Sequence, residues 1–241
     1  MGMPISLALR GRHADDRYGE AAWARALATL HEADRVFSTY RPDSYVCRLD
    51  RGEVTVADCP PEVGEVLALG ELARVQSSGA FDVRRPGAGG RTTLDPSGVV
   101  KGWAVQRAAH VFESLADTDV CLSAGGDMVC RVSDPDRPAW RIGIEDPHLP
   151  SRLVAVVPLR NGALATSALT HRGPHIVDAR TGRVPTGVSS VTVVADDLTW
   201  ADIDATAAFA HGADALRWLG SRAGRRGVVV RSDGKVKAFG S

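Results

Sequence analysis

The strongest constraint on the fold is the order in which two hydrophobic periods appear along the 241 residues. Helical spacing dominates the first half. Trp23, Ala26, Leu27, Leu30, Ala33 and Phe37 recur every three or four residues and predict a helix over about Glu20 to Val36. Pro60-Pro61 opens a second helix carrying Val63, Val66, Leu67 and Leu69, and a third is expected from Gly102 to Leu115. Beyond that the pattern is mostly extended. Strands are expected at Val120–Ser123, Met128–Val132, Trp140–Ile144, Leu153–Pro158, Ala163–Ser167, His175–Val177 and Val188–Val194. Helices follow at about Ala201–His211 and Ala213–Leu219, and Asp233-Gly234 between apolar runs predicts a closing hairpin. Strands and helices that do not alternate disfavour a doubly wound parallel sheet. The expectation is an α+β fold of mostly antiparallel sheets with packed helices, as a single domain over 1–241.

Composition excludes several classes. Lys+Arg and Asp+Glu both number 29, so there is no basic excess of the kind nucleic-acid binding needs. No stretch is apolar and long enough for a transmembrane helix. The start runs into Arg10, Arg12, Asp15 and Asp16 and lacks the layout of a signal peptide, so a cytoplasmic location is expected. Cys47, Cys59, Cys121 and Cys130 have no Cys-x-x-Cys spacing and are expected as free thiols.

Four stretches carry side chains suited to chemistry, and each admits a plainer reading. Phe37-Ser38-Thr39-Tyr40-Arg41-Pro42-Asp43-Ser44 could hold a flat, phosphate-bearing ligand, or be a polar helix-exit loop. Asp95-Pro96-Ser97-Gly98-Val99-Val100-Lys101-Gly102-Trp103 leads a glycine turn into a helix, where amides and Lys101 attract anions; it also reads as an ordinary helix start, and it is not a Walker A motif. Ala124-Gly125-Gly126-Asp127 lets a ligand approach the backbone, or is a tight turn. Asp202 and Thr206, four apart on one helix face, offer two hard oxygens to Mg²⁺; Thr199-x-x-Asp202 equally reads as a capping box, and spacing alone favours the cap.

In this order, these stretches resemble the ApbE family of FAD:protein FMN transferases over nearly the whole chain. The resemblance rests on Met1-Gly2-Met3-Pro4, Ser38-Thr39-Tyr40-Arg41-Pro42-Asp43-Ser44, Gly79-Ala80-Phe81-Asp82 and Gly98-Val99-Val100-Lys101-Gly102-Trp103-Ala104-Val105. It continues through Gly125-Gly126-Asp127, Ala165-Thr166-Ser167, His175-Ile176-Val177-Asp178-Ala179-Arg180-Thr181-Gly182 and Ala201-Asp202 with Ala205-Thr206. Departures are Asp50, where many relatives have Asn, Gln106 where many have Asp, Val100 for Ala, and a short segment after Phe81-Asp82.

The resemblance implies an ApbE-like, T-fold-related two-lobed fold. It implies that FAD is the substrate and that its FMN half passes to a Thr or Ser hydroxyl of an acceptor protein. It implies Mg²⁺ held by Asp202, Thr206 and the carbonyl of Val100, and His175 as general base, with Asp178 beside it to orient the loop or the metal. Thr39, Tyr40, Ser97, Lys101, Gly125, Gly126, Asp127, Thr166 and Thr181 are then the expected FAD contacts, with Tyr40 stacking on a ring. Asp204 and His171 lie nearby without an expected role. Hydrolysis of FAD to FMN and AMP at the same metal site, or flavin binding without chemistry, are the competing readings.

Overall fold

The computed structural model describes residues 2–86, 91–169, 173 and 176–240. Strand β1 (Ile5–Gly11) leads into helix α1 (Arg17–Phe37), a short helix α2 (Tyr45–Asp50) and helix α3 (Pro61–Gln76). A small hairpin of β2 (Arg84–Pro86) and β3 (Thr92–Leu94) precedes helix α4 (Ser97–His110). Strands β4 (Thr118–Ala124), β5 (Asp127–Arg131), β6 (Trp140–Asp146), β7 (Leu149–Leu159), β8 (Gly162–Ala168) and β9 (Val188–Ala195) follow. The chain closes with α5 (Leu198–Ala210), α6 (Ala215–Leu219), β10 (Arg226–Arg231) and β11 (Val236–Phe239).

Seven strands form one antiparallel sheet in the order β1-β4-β5-β8-β9-β10-β11. This is the expected mixture of helices and antiparallel sheet. Alternation sends one set of side chains to each face. Leu122, Ala124, Ala163, Ala165, Val191 and Val193 pack with α1, α3, α4 and α5 in the main core. The opposite face carries Cys130, Leu164 and Val194, which pack against Ile142 and Leu159 of the separate β6–β7 hairpin. The sheet is thus covered by helices on one side and by a two-stranded flap on the other.

Local chemistry explains the element limits. α1 starts at Asp16, whose carboxylate accepts from the amides of Tyr18 (2.9 Å) and Gly19 (3.1 Å). Its buried stripe of Ala22, Ala26, Leu30, Ala33 and Phe37 matches the expected periodicity. α2 falls just after the stretch read as loop, where Ser44 caps it by accepting from the Cys47 amide. α4 begins at Ser97, one turn earlier than expected, so Lys101 lies on the helix rather than before it. The glycines read there as turn residues serve packing: a Cβ on Gly102 would lie 2.7 Å from the Leu198 carbonyl oxygen and 2.9 Å from Asp202 Cβ. α5 is capped by Asp197, which accepts from the Trp200 amide, so the expected capping role of Asp202 is replaced. Ile176 and Val177 belong to no strand, and His175 lies outside the described residues. Among the described residues no helix is long and apolar enough to cross a membrane.

Two predictions follow the packing. Alanine improves helix propensity over glycine by about 1 kcal/mol, while overpacking costs about 1–3 kcal/mol. Backbone, not a flexible tip, blocks the space at Gly102, so Gly102→Ala lowers the urea midpoint of unfolding. The second concerns Asp119, fully buried on β4. Burial raises its pKa, but the Ser133 amide and hydroxyl and the Arg137 guanidinium outweigh it and hold the carboxyl below its usual value. Its stabilisation is therefore complete above the unfolded value of about 4 and is lost as pH falls through the lower folded value. Asp119→Asn costs about 3 kcal/mol at neutral pH, and the gap from wild type narrows in acid when unfolding is followed against pH.

Candidate functional site

The floor of the site is a buried charge cluster assembled from three separate parts of the chain. Lys101 projects from α4 and its ammonium lies 2.6 Å from Asp127 Oδ2 and 3.0 Å from Asp202 Oδ1. Asp127 opens β5 directly after the Gly125-Gly126 turn, and Asp202 lies inside α5. Each carboxylate spends its second oxygen on an amide. Asp202 Oδ2 accepts from Gly102 N at 3.0 Å, and Asp127 Oδ1 accepts from Thr166 N at 3.0 Å. One carboxylate therefore ties α5 to α4, and the other ties β5 to β8. The Gly125-Gly126 turn has positive φ at both residues (60° and 93°), the geometry that lets a two-residue loop close a hairpin. A Cβ on Gly126 would meet nothing within 4 Å, so that side of the turn is open.

Two carboxylates face one ammonium, and the balance shows at Lys101 and Asp202. Burial disfavours the Lys101 ammonium, but Asp202 and Asp127 outweigh it and hold Lys101 protonated above its usual range. Burial pushes Asp202 up to about 7; Lys101 opposes this and the neighbouring Asp127 adds to it. The cluster is short of one positive charge. Asp127 Oδ2 has the close ammonium but, among the described residues, no directed hydrogen bond. Next to it, Thr206 Oγ1 and Ser167 Oγ share a hydrogen bond of 3.0 Å. Carboxylate and hydroxyl oxygens of this kind suit a hard divalent cation. Among the described residues no three His, Cys, Asp or Glu side chains cluster to hold a metal by themselves. An ion here would thus rely on hydroxyl, carbonyl, water or ligand oxygens, as Mg²⁺ commonly does.

Above the cluster opens a cleft of about 290 Å³. Ser97, Lys101, Gly125, Gly126, Thr166, Asp202 and Thr206 line it, with Asp127 beneath and Val100 buried one residue before Lys101. Seven of the residues expected from the sequence thus share one cleft. Other expected residues stand elsewhere. Tyr40 is 95% exposed, Thr39 is exposed, and neither lines the cleft. Thr181 is exposed in a turn that it stabilises through its hydroxyl. Asp178 holds the same turn: it pairs with Arg180 at 2.8 Å, and that contact keeps its carboxyl below the usual range. His175 and His171 lie outside the described residues. Asp204 is buried on α5 against Arg222 (3.0 Å) and Arg225 (2.6 Å), anchoring the segment after α6.

The cleft also has a wall that sequence reasoning missed. Gly143, Ile144 and Glu145 come from the β6–β7 hairpin, and Met128, Leu164 and Ser190 from the sheet face below it. None belongs to a motif with chemical content. Ser190 is the informative one: it is 2% exposed, and its hydroxyl has no hydrogen-bond partner among the described residues. A buried hydroxyl left unpaired costs about 1–3 kcal/mol. The departure Gln106 has a structural place too, since its side-chain oxygen accepts from Leu198 N at 2.8 Å, at the start of the helix carrying Asp202 and Thr206. Asp50 accepts from Leu94 N and Arg91, fastening β3.

Known proteins resemble the chain in sequence and in fold. The sequence model of the ApbE family matches residues 1–86 and 85–229. A protein of Rhodobacter capsulatus named FAD:protein FMN transferase is 33% identical over 155 residues, 60% of this chain and 29% of its own. One of the same name from Vibrio cholerae is 31% identical over 129 residues, 49% of this chain and 39% of its own. The chain thus spans well under half the length of these curated relatives. The crystal structure of the ApbE protein of Thermotoga maritima superposes with a TM-score of 0.83 at 19% identity, covering 98% of this chain and 93% of that one. At that identity the likeness shows the fold.

The orphaned hydroxyl gives a direct prediction. Ser190→Ala leaves the ligand-free protein as stable as wild type or up to about 1 kcal/mol more stable, because it removes an unpaired polar group. Thermal melting checks this; a loss above about 1 kcal/mol would mean that the hydroxyl is satisfied within the fold.

Proposed function

The chain belongs to the ApbE family, and from that premise we propose that it is an Mg²⁺-dependent FAD:protein FMN transferase acting as one domain. The two curated relatives are named FAD:protein FMN transferase. The observation that carries the reading is the Lys101 ammonium held between Asp127 and Asp202 on the floor of a cleft, beside the Thr206 hydroxyl.

In the proposed reaction, the oxygen of an acceptor Thr or Ser attacks the FMN-side phosphorus of FAD. The bond from that phosphorus to the bridging oxygen breaks, and AMP leaves with the oxygen. The acceptor's proton passes to a base, a role we assign to His175 on the resemblance of its motif. Asp202, Thr206 and the carbonyl of Val100 would hold Mg²⁺, which when bound supplies charge neutralisation at the pyrophosphate.

The chain's own residues position the substrate. Lys101 places positive charge at the end of the cleft where the phosphates would sit. The Gly98 amide in the first turn of α4 and the Gly126 amide of the open turn would meet anionic oxygens, while the Ser97 amide donates to Asp95 and the Gly125 amide to the Pro4 carbonyl. Asp127 fixes the Thr166 amide and so the edge of β8. Met128, Ile144, Leu164 and Ile176 offer apolar surface for a flat ring. The Ser190 hydroxyl would pair with a polar atom on that ring or its side chain. Asp178, ion-paired to Arg180, orders the turn after His175. Tyr40 and Thr39 do not line the cleft; on the resemblance of their motif they would meet FAD where it extends beyond it.

The test is incubation with FAD, Mg²⁺ and a protein or peptide bearing an Asp-x-Ala-Thr-like acceptor, read by intact mass. The expected result is a gain equal to covalent FMN, abolished by EDTA. In Asp202→Ala the rate falls on the order of 10²–10³-fold, the scale of losing one electrostatic anchor of a transition state. Free FMN and AMP without labelling would replace transfer by hydrolysis. FAD that binds and stays intact would replace both by simple binding.

A further inference from the structure

Cys121 and Cys130 are directly opposed on the adjacent strands β4 and β5. Their sulfurs are 3.6 Å apart, with the Cys130 S–H donating to Cys121 Sγ. The register makes this contact systematic. The two-residue Gly125-Gly126 turn closes on the pair Ala124–Asp127, which in such a hairpin exchanges hydrogen bonds. Alternation then makes Cys121–Cys130 a non-hydrogen-bonded pair, the kind whose Cα atoms come to about 4.5 Å and whose side chains lie closer. That separation falls inside the range a disulfide spans, about 4.4–6.8 Å.

The neighbours leave the sulfurs room. Cys121 is flanked across the sheet by Ala8 on β1, and Cys130 by Gly162 on β8. The rung Ala8–Cys121–Cys130–Gly162 therefore has small residues at both ends. Arg10 lies one same-face position along from Ala8, stacked over the Trp140 ring at 3.9 Å and ion-paired to Asp119 at 3.0 Å. A guanidinium beside a thiol favours the thiolate. The shared hydrogen bond lowers the Cys121 pKa; burial opposes it and Arg10 helps. The same bond, together with burial, raises that of Cys130. Cys121 is partly exposed and Cys130 is buried. One is placed to react first and the other to resolve.

We propose that Cys121 and Cys130 are a redox-responsive modification site that closes to a reversible intramolecular disulfide with small-molecule disulfides as the oxidant. The Cys121 thiolate attacks a disulfide R–S–S–R, forming a mixed disulfide and releasing one R–SH after proton uptake. Cys130 then attacks the Cys121 sulfur, loses its proton, and expels the second R–SH. Two protein thiols are oxidised and one small disulfide is reduced to two thiols. The site belongs to the floor beneath the β6–β7 hairpin, where Cys130 packs with Ile142, Leu159 and Leu164. Met128, two residues before Cys130 on the same face, lines the cleft. The new bond is thus made one same-face step from the cleft wall, and it does not depend on the reading of the cleft as a flavin site.

The experiment equilibrates the reduced, folded full chain in buffers of rising oxidised-to-reduced glutathione. The reaction is quenched by acid, and free thiols are alkylated after unfolding. Intact mass and non-reducing peptide mapping then read the product. The expected species has lost two hydrogen atoms and two of the four alkylation sites, with the Cys121 peptide joined to the Cys130 peptide. It forms equally in a Cys47→Ser/Cys59→Ser double variant and is absent in Cys121→Ser. Four alkylatable thiols across the whole range, a glutathione adduct on Cys121 that never resolves, or linkage through Cys47 or Cys59 would each overturn the proposal.

Discussion

Burying an ammonium between two carboxylates dictates how the rest of this molecule is assembled. A charge taken out of water costs several kcal/mol, and only close, hydrogen-bonded partners offset it. Lys101 finds those partners on two other segments, at Asp127 and Asp202, and each partner is itself fixed by a backbone amide. Satisfying one side chain therefore requires α4, the β4–β5 turn and α5 to be docked in one arrangement. The small residues at the contact follow from the same demand. Gly102 has no side chain because the Leu198 carbonyl and Asp202 occupy the space a Cβ would need. Gln106 then holds the first amide of α5, one turn further along α4.

The same arrangement divides the cleft. Charge and backbone amides gather where the helix termini and the glycine turn meet. Apolar surface lies between the sheet and the β6–β7 hairpin. That polarity suits a ligand with a flat ring at one end and phosphates at the other, which is why FAD fits the proposed function. The negative excess of the Asp127–Asp202–Lys101 cluster suits a divalent cation for the same reason, since burial and Asp127 push the Asp202 carboxyl up and nearby positive charge opposes that shift.

The sequence revealed the helices with regular apolar stripes, the antiparallel class and most of the charged site. α1 and the hairpin at Asp233-Gly234 were legible because their signals are local: a 3.6-residue stripe with a cap, and a turn between two apolar runs. Spacing alone favoured a cap at Asp202 over a metal ligand because Thr199-x-x-Asp202 has the right interval, and the fold shows that Asp197 takes the first turn while Asp202 turns toward Lys101. The start of α4 was placed late because glycine at 98 and 102 reads as turn chemistry, whereas here it answers to Phe81 and Leu198 across the core. The strands of the hairpin wall and of Ser190 were legible, but not their place in the cleft, since Gly143, Ile144 and a serine in a valine-rich strand carry no motif. Cys121 and Cys130 lack metal spacing, and their meeting depends on strand register, which residue types alone do not specify.

The central claim is that the Lys101 ammonium binds the site together, and the unfolding free energy of Lys101→Met tests it most directly. The account predicts a loss of about 3–5 kcal/mol, because two buried carboxylates then face each other without compensation, and partial recovery when Asp127→Asn is added to the same chain. A Lys101→Met protein within about 0.5 kcal/mol of wild type, the range of an ordinary surface substitution, would contradict it.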